Sequence, residues 1–197
     1  MSAQFNAESM YTYLKGYAMG RKLTDTIKAL AFARELHKDQ LRKDGQPYIV
    51  HPLTMACHAI TIGLDNDVII AACLLHDVVE DCGMTVEELP VSMETKRTVM
   101  KLTHLKPTPL SVYYQGIMSH NYASIVKLLD RCDNVSTMAG VFTVAKVRDY
   151  IEETREYVLP LIRSTKDHCP ELSDALFVLK YHIISIIDGL EAALNAQ

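Results

Sequence analysis

The sequence predicts an all-α protein folded as a single-domain helical bundle over residues 1–197. Three observations carry that prediction. Apolar residues recur with a period near 3.6, as in Ile27, Leu30, Ala31, Ala33 and Leu36. No segment alternates apolar and polar residues in the manner of a half-buried strand. Helix-start and helix-stop residues, with glycine and proline between them, fall where the periodic segments end.

The elements follow in order. The first twenty or so residues read as a helix packed on the core. Thr24-Asp25 opens a helix, and Asp44-Gly45 with Pro47 marks a turn after it. Beyond Pro52, which suits a first helical position, Met55, Ala56, Ala59 and Ile60 carry a helix to Gly63. Asp65 or Asn66 can cap the next helix, expected to run unbroken to near Gly83. Thr85-Val86-Glu87-Glu88 reads as a capping box. Residues 92–105 and 110–119 read as helices separated by Pro107 and Pro109, and a longer helix spans about Tyr122–Met138. A closing pair is expected near 146–165 and 171–195, with Asp167-His168-Cys169-Pro170 between them.

Composition narrows the function classes. With 49% hydrophobic and 22% charged residues in 197, the chain has the profile of an ordinary globular protein with a substantial core. A net charge of −4 provides no global basic field, and no recognition motif or basic stripe accompanies it, so a nucleic-acid partner is not expected. The five cysteines are irregularly spaced without a C-x-x-C pair, which argues against a disulfide framework or zinc knuckle and fits a reducing cytoplasm. No signal peptide is visible at Met1–Asn6, and no apolar run reaches membrane-spanning length.

The most informative segment is His76-Asp77-Val78-Val79-Glu80-Asp81, directly after the apolar run Val68–Leu75. An all-round hydrophobic helix is a buried one, and burying carboxylates uncompensated is costly, so a cation is expected there. Helical spacing lines up His76 with Glu80 and Asp77 with Asp81. His76 and Asp77 can reach one ion, with Glu80 and Asp81 a turn further on. The plainer reading, a solvated helix end, has weight for Glu80 and Asp81 alone. A second cluster places Asp130, Asp133, Asn134 and Thr137 on one face of one helix, again after a buried-looking stretch. A third segment, Arg42-Lys43-Asp44-Gly45-Gln46-Pro47-Tyr48-Ile49-Val50-His51-Pro52, puts His51 at a helix start and two cations on a loop fit for an anionic ligand. The remaining histidines, including His37, His58, His104, His120, His168 and His182, are read as structural.

Those three segments, with Lys127-Leu128-Leu129-Asp130-Arg131-Cys132-Asp133-Asn134 as the third in order, resemble the HD-domain phosphohydrolases, and among them the small stand-alone Rel/Spo-type alarmone hydrolases. The likeness covers about residues 24–140 and is looser beyond Tyr150. It implies that His51, His76, Asp77 and Asp130 hold a divalent metal, usually Mn²⁺. It implies a catalytic role for Glu80 and Asp81, contacts from Arg42 and Lys43 to a guanine nucleotide, Asn134 near the ribose, and Thr137 as a further substrate-binding residue at the end of that motif. Asp133 and Ser136 depart from the family, which usually has a histidine or aromatic residue and often an arginine there.

The expected reaction is hydrolysis of the 3′-pyrophosphate of guanosine tetra- or pentaphosphate, without synthetase activity. The enzymatic alternative is another nucleotide, such as NADPH or a nucleoside phosphate. A non-catalytic nucleotide-binding or structural metal protein is a third reading, opposed by the spare pair Glu80 and Asp81.

Overall fold

The computed structural model describes residues 6–196, all helix and connecting turn. Residues 1–5, where the signal-peptide reading rests, and residue 197 lie outside the described residues. The all-α prediction holds: among the described residues the only extended pairing is one antiparallel bridge, Leu41 to Pro47. The chain divides into two compact units, Met1–Pro109 and Leu110–Gln197. The boundary falls inside the 24–140 motif region. The Arg42–Pro52 and Leu75–Asp81 motifs lie in the first unit, and the Lys127–Asn134 motif in the second.

The first unit contains α1 (Ala7–Arg21), α2 (Thr24–Leu36), α3 (Val50–Thr61), α4 (Asp67–Leu75), α5 (Val78–Asp81) and α6 (Met93–Leu102). Helix α4 is its axis, packed by α2, α3 and α6, and every residue from Ile69 to Leu75 is buried. Helix α1 covers α2 and α3 with Met10, Leu14 and Ala18 inward, as expected of the N-terminal helix. Asn66 rather than Asp65 caps α4, its Oδ1 accepting the Val68 amide at 2.9 Å. Asp65 instead accepts from Tyr17 and Arg21. The capping box forms, with Glu88 accepting the Thr85 amide at 2.8 Å.

Two carboxylates bind helix starts at long range. Leu23, ahead of α2, offers no side-chain cap, and Asp67 accepts the amides of Asp25 and Thr26 at 3.0 and 2.8 Å. Asp25 in turn accepts the amide of Ser92, the residue that opens α6, at 3.0 Å, and the Thr95 hydroxyl at 2.7 Å. Burial opposes the charge on Asp25, yet the donors from Ser92 and Thr95 outweigh it and hold the carboxyl below its ordinary value.

The second unit contains α7 (Leu110–Met118), α8 (Asn121–Thr137), α9 (Val144–Glu153), α10 (Leu159–His168) and α11 (Ser173–Asn195). Helix α8 is the centre, packed by α7, α10 and α11. Val135, Met138, Val147, Ile151 and Ile187 form a core cluster. The helix expected at 146–165 starts two residues earlier, where Thr143 caps it, and is interrupted by a π-helical turn at Thr154–Val158. Pro160 follows within two residues. It lacks an amide to bond backwards, and the widened turn, closed by Leu159 N–H to Thr154 O, accommodates that defect.

Candidate metal centre

The helix expected to run unbroken from residue 67 to near Gly83 instead ends at Leu75, and His76-Asp77 forms a turn before the short α5. The imidazole itself bonds the helix end: His76 Nδ1 lies 2.9 Å from the carbonyl of Cys73. The break matters because neighbouring residues on a continuous helix point about 100° apart. Across this turn, His76 Nε2 and Asp77 Oδ2 approach to 2.9 Å.

His51 completes the cluster from the first turn of α3. That helix begins at Val50, so Pro52 stands third in it rather than first; proline is tolerated there because first-turn amides need no helical acceptor. His51 Nε2 lies 3.2 Å from His76 Nε2 and 3.8 Å from Asp77 Oδ2. Both imidazoles are buried and Asp77 is partly so.

The donor set fits a divalent ion. A carbonyl only accepts, so the bond to Cys73 places a hydrogen on His76 Nδ1, and in the neutral ring Nε2 then presents its lone pair. Two imidazole nitrogens and a carboxylate oxygen converge within 4.8 Å. Nitrogen and oxygen donors without thiolate suit a borderline-to-hard divalent metal.

Glu80 and Asp81 are exposed, so the expectation of three buried carboxylates is corrected: burial reaches only His76 and, in part, Asp77. The two also diverge. Glu80 accepts the His104 amide, and Asp81 accepts from the Gln40 amide group at 3.4 Å.

Arg42 and Lys43 lie on a tight turn. Arg42 N–H bonds Gln46 O at 2.8 Å, Gly45 N–H bonds Arg42 O at 2.9 Å, and Gly45 takes a φ of 82° that a side chain would disfavour. The base of the turn is closed by Tyr48 N–H on Gln40 O at 2.8 Å.

Sequence reasoning passed over a layer of residues behind the cluster. The Tyr48 hydroxyl donates a short hydrogen bond to Asp77 Oδ2, the oxygen that faces both imidazoles. His37, read as structural, stacks its ring 4.7 Å from that of Tyr48 and bonds Gln40 Oε1 through Nδ1 at 2.6 Å. Burial holds the His37 imidazole below its ordinary value. Cys82 Sγ is 3.6 Å from the same nitrogen, and burial with Asp81 and Asp77 nearby pushes its thiol up, away from reactivity. The signal available in the sequence was Tyr48 inside the Arg42–Pro52 motif, and the i, i+3 pair His37 and Gln40 just past a helix end.

The second unit carries a polar cluster of its own on α8. Asp130 Oδ2 pairs with Lys127 Nζ at 2.9 Å and its Oδ1 accepts from Asn134 at 2.5 Å. Burial disfavours the Lys127 charge, but the Asp130 carboxylate overrides it and holds the ammonium well above its ordinary value. Arg131, 3% exposed, pairs with Glu153, bonds the Tyr114 hydroxyl at 3.1 Å and lies 4.7 Å over the Tyr150 ring. Thr137 bonds back to Asp133 O at 3.0 Å, and Ser136 to Cys132 O at 2.6 Å.

Comparison with known proteins agrees with this geometry, since residues 29–104 match the HD domain family. The HD domain implies a divalent metal, and His51, His76 and Asp77 are positioned to hold one. A guanosine-3′,5′-bis(diphosphate) 3′-pyrophosphohydrolase of Aquifex aeolicus is 36% identical over 146 residues, 68% of this chain and 20% of that protein. The bifunctional (p)ppGpp synthase/hydrolase SpoT of Escherichia coli K12 is 29% identical over 196 residues, 90% of this chain and 28% of that protein. The chain thus spans between a fifth and about three tenths of the length of these curated relatives. The solved structure of a metazoan SpoT ortholog, described as hydrolysing ppGpp, superposes with a TM-score of 0.64 at 20% identity, covering 84% of this chain and 95% of that one. That likeness supports the HD-domain fold. Among the described residues, no helix is long and apolar enough to cross a membrane.

Proposed function

We propose that this chain is a metal-dependent hydrolase that removes the 3′-pyrophosphate of guanosine tetra- and pentaphosphate, yielding GDP or GTP and pyrophosphate. The carrying observation is the convergence of His51, His76 and Asp77 within 4.8 Å, on an HD domain whose relatives are named for this reaction. Asp130 is proposed as a fourth ligand from its place in the Lys127–Asn134 motif. The donor set suits Mn²⁺, which when bound would supply Lewis acidity toward phosphate oxygen and water.

The protein's own groups do the rest. Glu80 and Asp81 orient the attacking water, accept its proton and return one to the departing 3′-oxygen, a task for carboxylates beside the ligand set. Arg42 and Lys43 offset phosphate charge from their turn, so a net-acidic chain can hold an anionic substrate through a local field. Asn134 is assigned to the ribose side, and Thr137 to a further substrate contact at the end of the same motif.

A second reading, an HD hydrolase of another nucleotide, is favoured by Asp133 and Ser136. Asp133 is buried, and the Ser136 hydroxyl is turned back onto its own helix, so neither brings positive charge to a nucleotide. Purified protein with Mn²⁺ should release pyrophosphate from guanosine tetraphosphate in a nucleotide panel. No release there, with turnover of NADPH or a nucleoside phosphate, would favour the second reading. Glu80→Gln and Asp81→Asn should each lower kcat about 10²–10⁴-fold while metal content is retained; full activity in both would remove their assigned roles.

A further inference from the structure

We propose that Gln40 and Tyr48, the residues that close the base of the Arg42–Lys43 turn, are positioning residues that fix the carboxylates of Asp81 and Asp77 relative to that turn. The inference rests on the hydrolase reading and adds to it a mechanical link between substrate turn and reacting groups. The link is built from three contacts. The main chains of Gln40 and Tyr48 are joined at 2.8 Å, the Tyr48 hydroxyl donates to Asp77 Oδ2, and the Gln40 amide group donates to Asp81 Oδ2 at 3.4 Å.

The orientation of Gln40 is determined by its two neighbours. Its oxygen faces His37 Nδ1 at 2.6 Å, which therefore carries the hydrogen, and this leaves the NH₂ for the carboxylate. The reverse orientation would set amide oxygen against carboxylate oxygen. The bond to Asp81 is long, as bonds in catalytic sites often are before substrate arrives. His37 serves both halves, since its ring also lies against Tyr48 at 4.7 Å and keeps the phenol directed at Asp77. A ligand seated on Arg42 and Lys43 would meet carboxylates already set in register with them. Asp77 gains from this a defined oxygen to offer the ion, the usual contribution of groups that bond to a metal ligand.

The two contacts make separable predictions, tested on the full chain with Mn²⁺ titrated by calorimetry and steady-state kinetics alongside. Tyr48→Phe keeps the ring on His37 and deletes only the hydroxyl; its Mn²⁺ Kd should rise about ten- to hundredfold. Gln40→Met should leave the Mn²⁺ Kd within about twofold and lower kcat about ten- to hundredfold, with KM little changed, because one carboxylate is misplaced. Both should melt close to the wild-type temperature. Unchanged Kd in Tyr48→Phe together with unchanged kcat in Gln40→Met would overturn the proposal. So would losses of activity that follow a fall in Tm while the folded protein keeps its Mn²⁺ affinity. The Mn²⁺ titration needs no nucleotide, so a wild type that leaves guanosine tetraphosphate intact would refute the hydrolase reading without deciding this one.

Discussion

The polar clusters of the two units balance charge in opposite ways. Around His76, the Asp77 carboxylate faces the Nε2 atoms of His51 and His76 and accepts from the Tyr48 hydroxyl. On α8, Asp130 has Lys127 at 2.9 Å, and Arg131 has Glu153. The α8 carboxylate has an ammonium on its own helix, whereas the Asp77 carboxylate meets imidazole and phenol. Burial of charge alone therefore does not distinguish the two clusters. What sets the His76 cluster apart is the convergence of two imidazole nitrogens and a carboxylate oxygen.

The largest effect should come from the His76 cluster. His76→Ala should abolish stoichiometric metal binding, measured by elemental analysis, and reduce kcat/KM on the order of a thousandfold, since metal Lewis acidity contributes several kcal/mol. Lys127→Met attacks the compensated cluster and should destabilise the metal-free protein by about 3 kcal/mol in urea unfolding, because it strips a buried carboxylate of its cation. If Asp130 binds the ion, added Mn²⁺ should recover more stability in this variant than in the wild type. Equal recovery would count against Asp130 as a ligand.

Asp25 shows compensation chiefly by hydrogen-bond donors, with a smaller contribution from the charge of Lys28. Asp25→Asn should cost about 1–2 kcal/mol at pH 7, the range for lost helix-start acceptors. The folded carboxyl sits below its unfolded value, so its stabilisation is whole above about pH 3.9 and is lost as pH falls through the lower folded value. Wild type should lose stability across that window, and the Asp25→Asn variant should lose less. At the small end, Arg155→Ala removes surface pairs to Glu191 and Asp188, with Arg155 43% exposed, and should cost about 0.2–1 kcal/mol.

Local patterns were legible in the sequence wherever the physics is local. Periodicity located the helices, Thr85 and Glu88 announced their box, and two of the motifs supplied residues that the fold brings together, His51, His76 and Asp77. The break at His76 was not legible, because spacing alone cannot show an imidazole bonding the carbonyl of Cys73 in place of continued helix. Pro160 was visible, but not that a π-helical turn would absorb it without ending the helical run. The pairs Tyr48 with Asp77 and Gln40 with Asp81 join residues 29 and 41 positions apart, contacts that leave no periodic trace. For Glu80 and Asp81 the burial argument overstated how far they sit from water: both are exposed.

The exchange of carboxylates among helix starts has a consequence for dynamics. Asp67 at the head of α4 holds the first amides of α2, and Asp25 in that turn of α2 holds the amide that opens α6. Helix ends ordinarily fray first, each by itself. Here the three heads are wired in series, so releasing one means losing an acceptor for the next. Protons on the amides of Thr26 and Ser92 should accordingly exchange with solvent slowly and at matching rates, through one shared opening of the first unit.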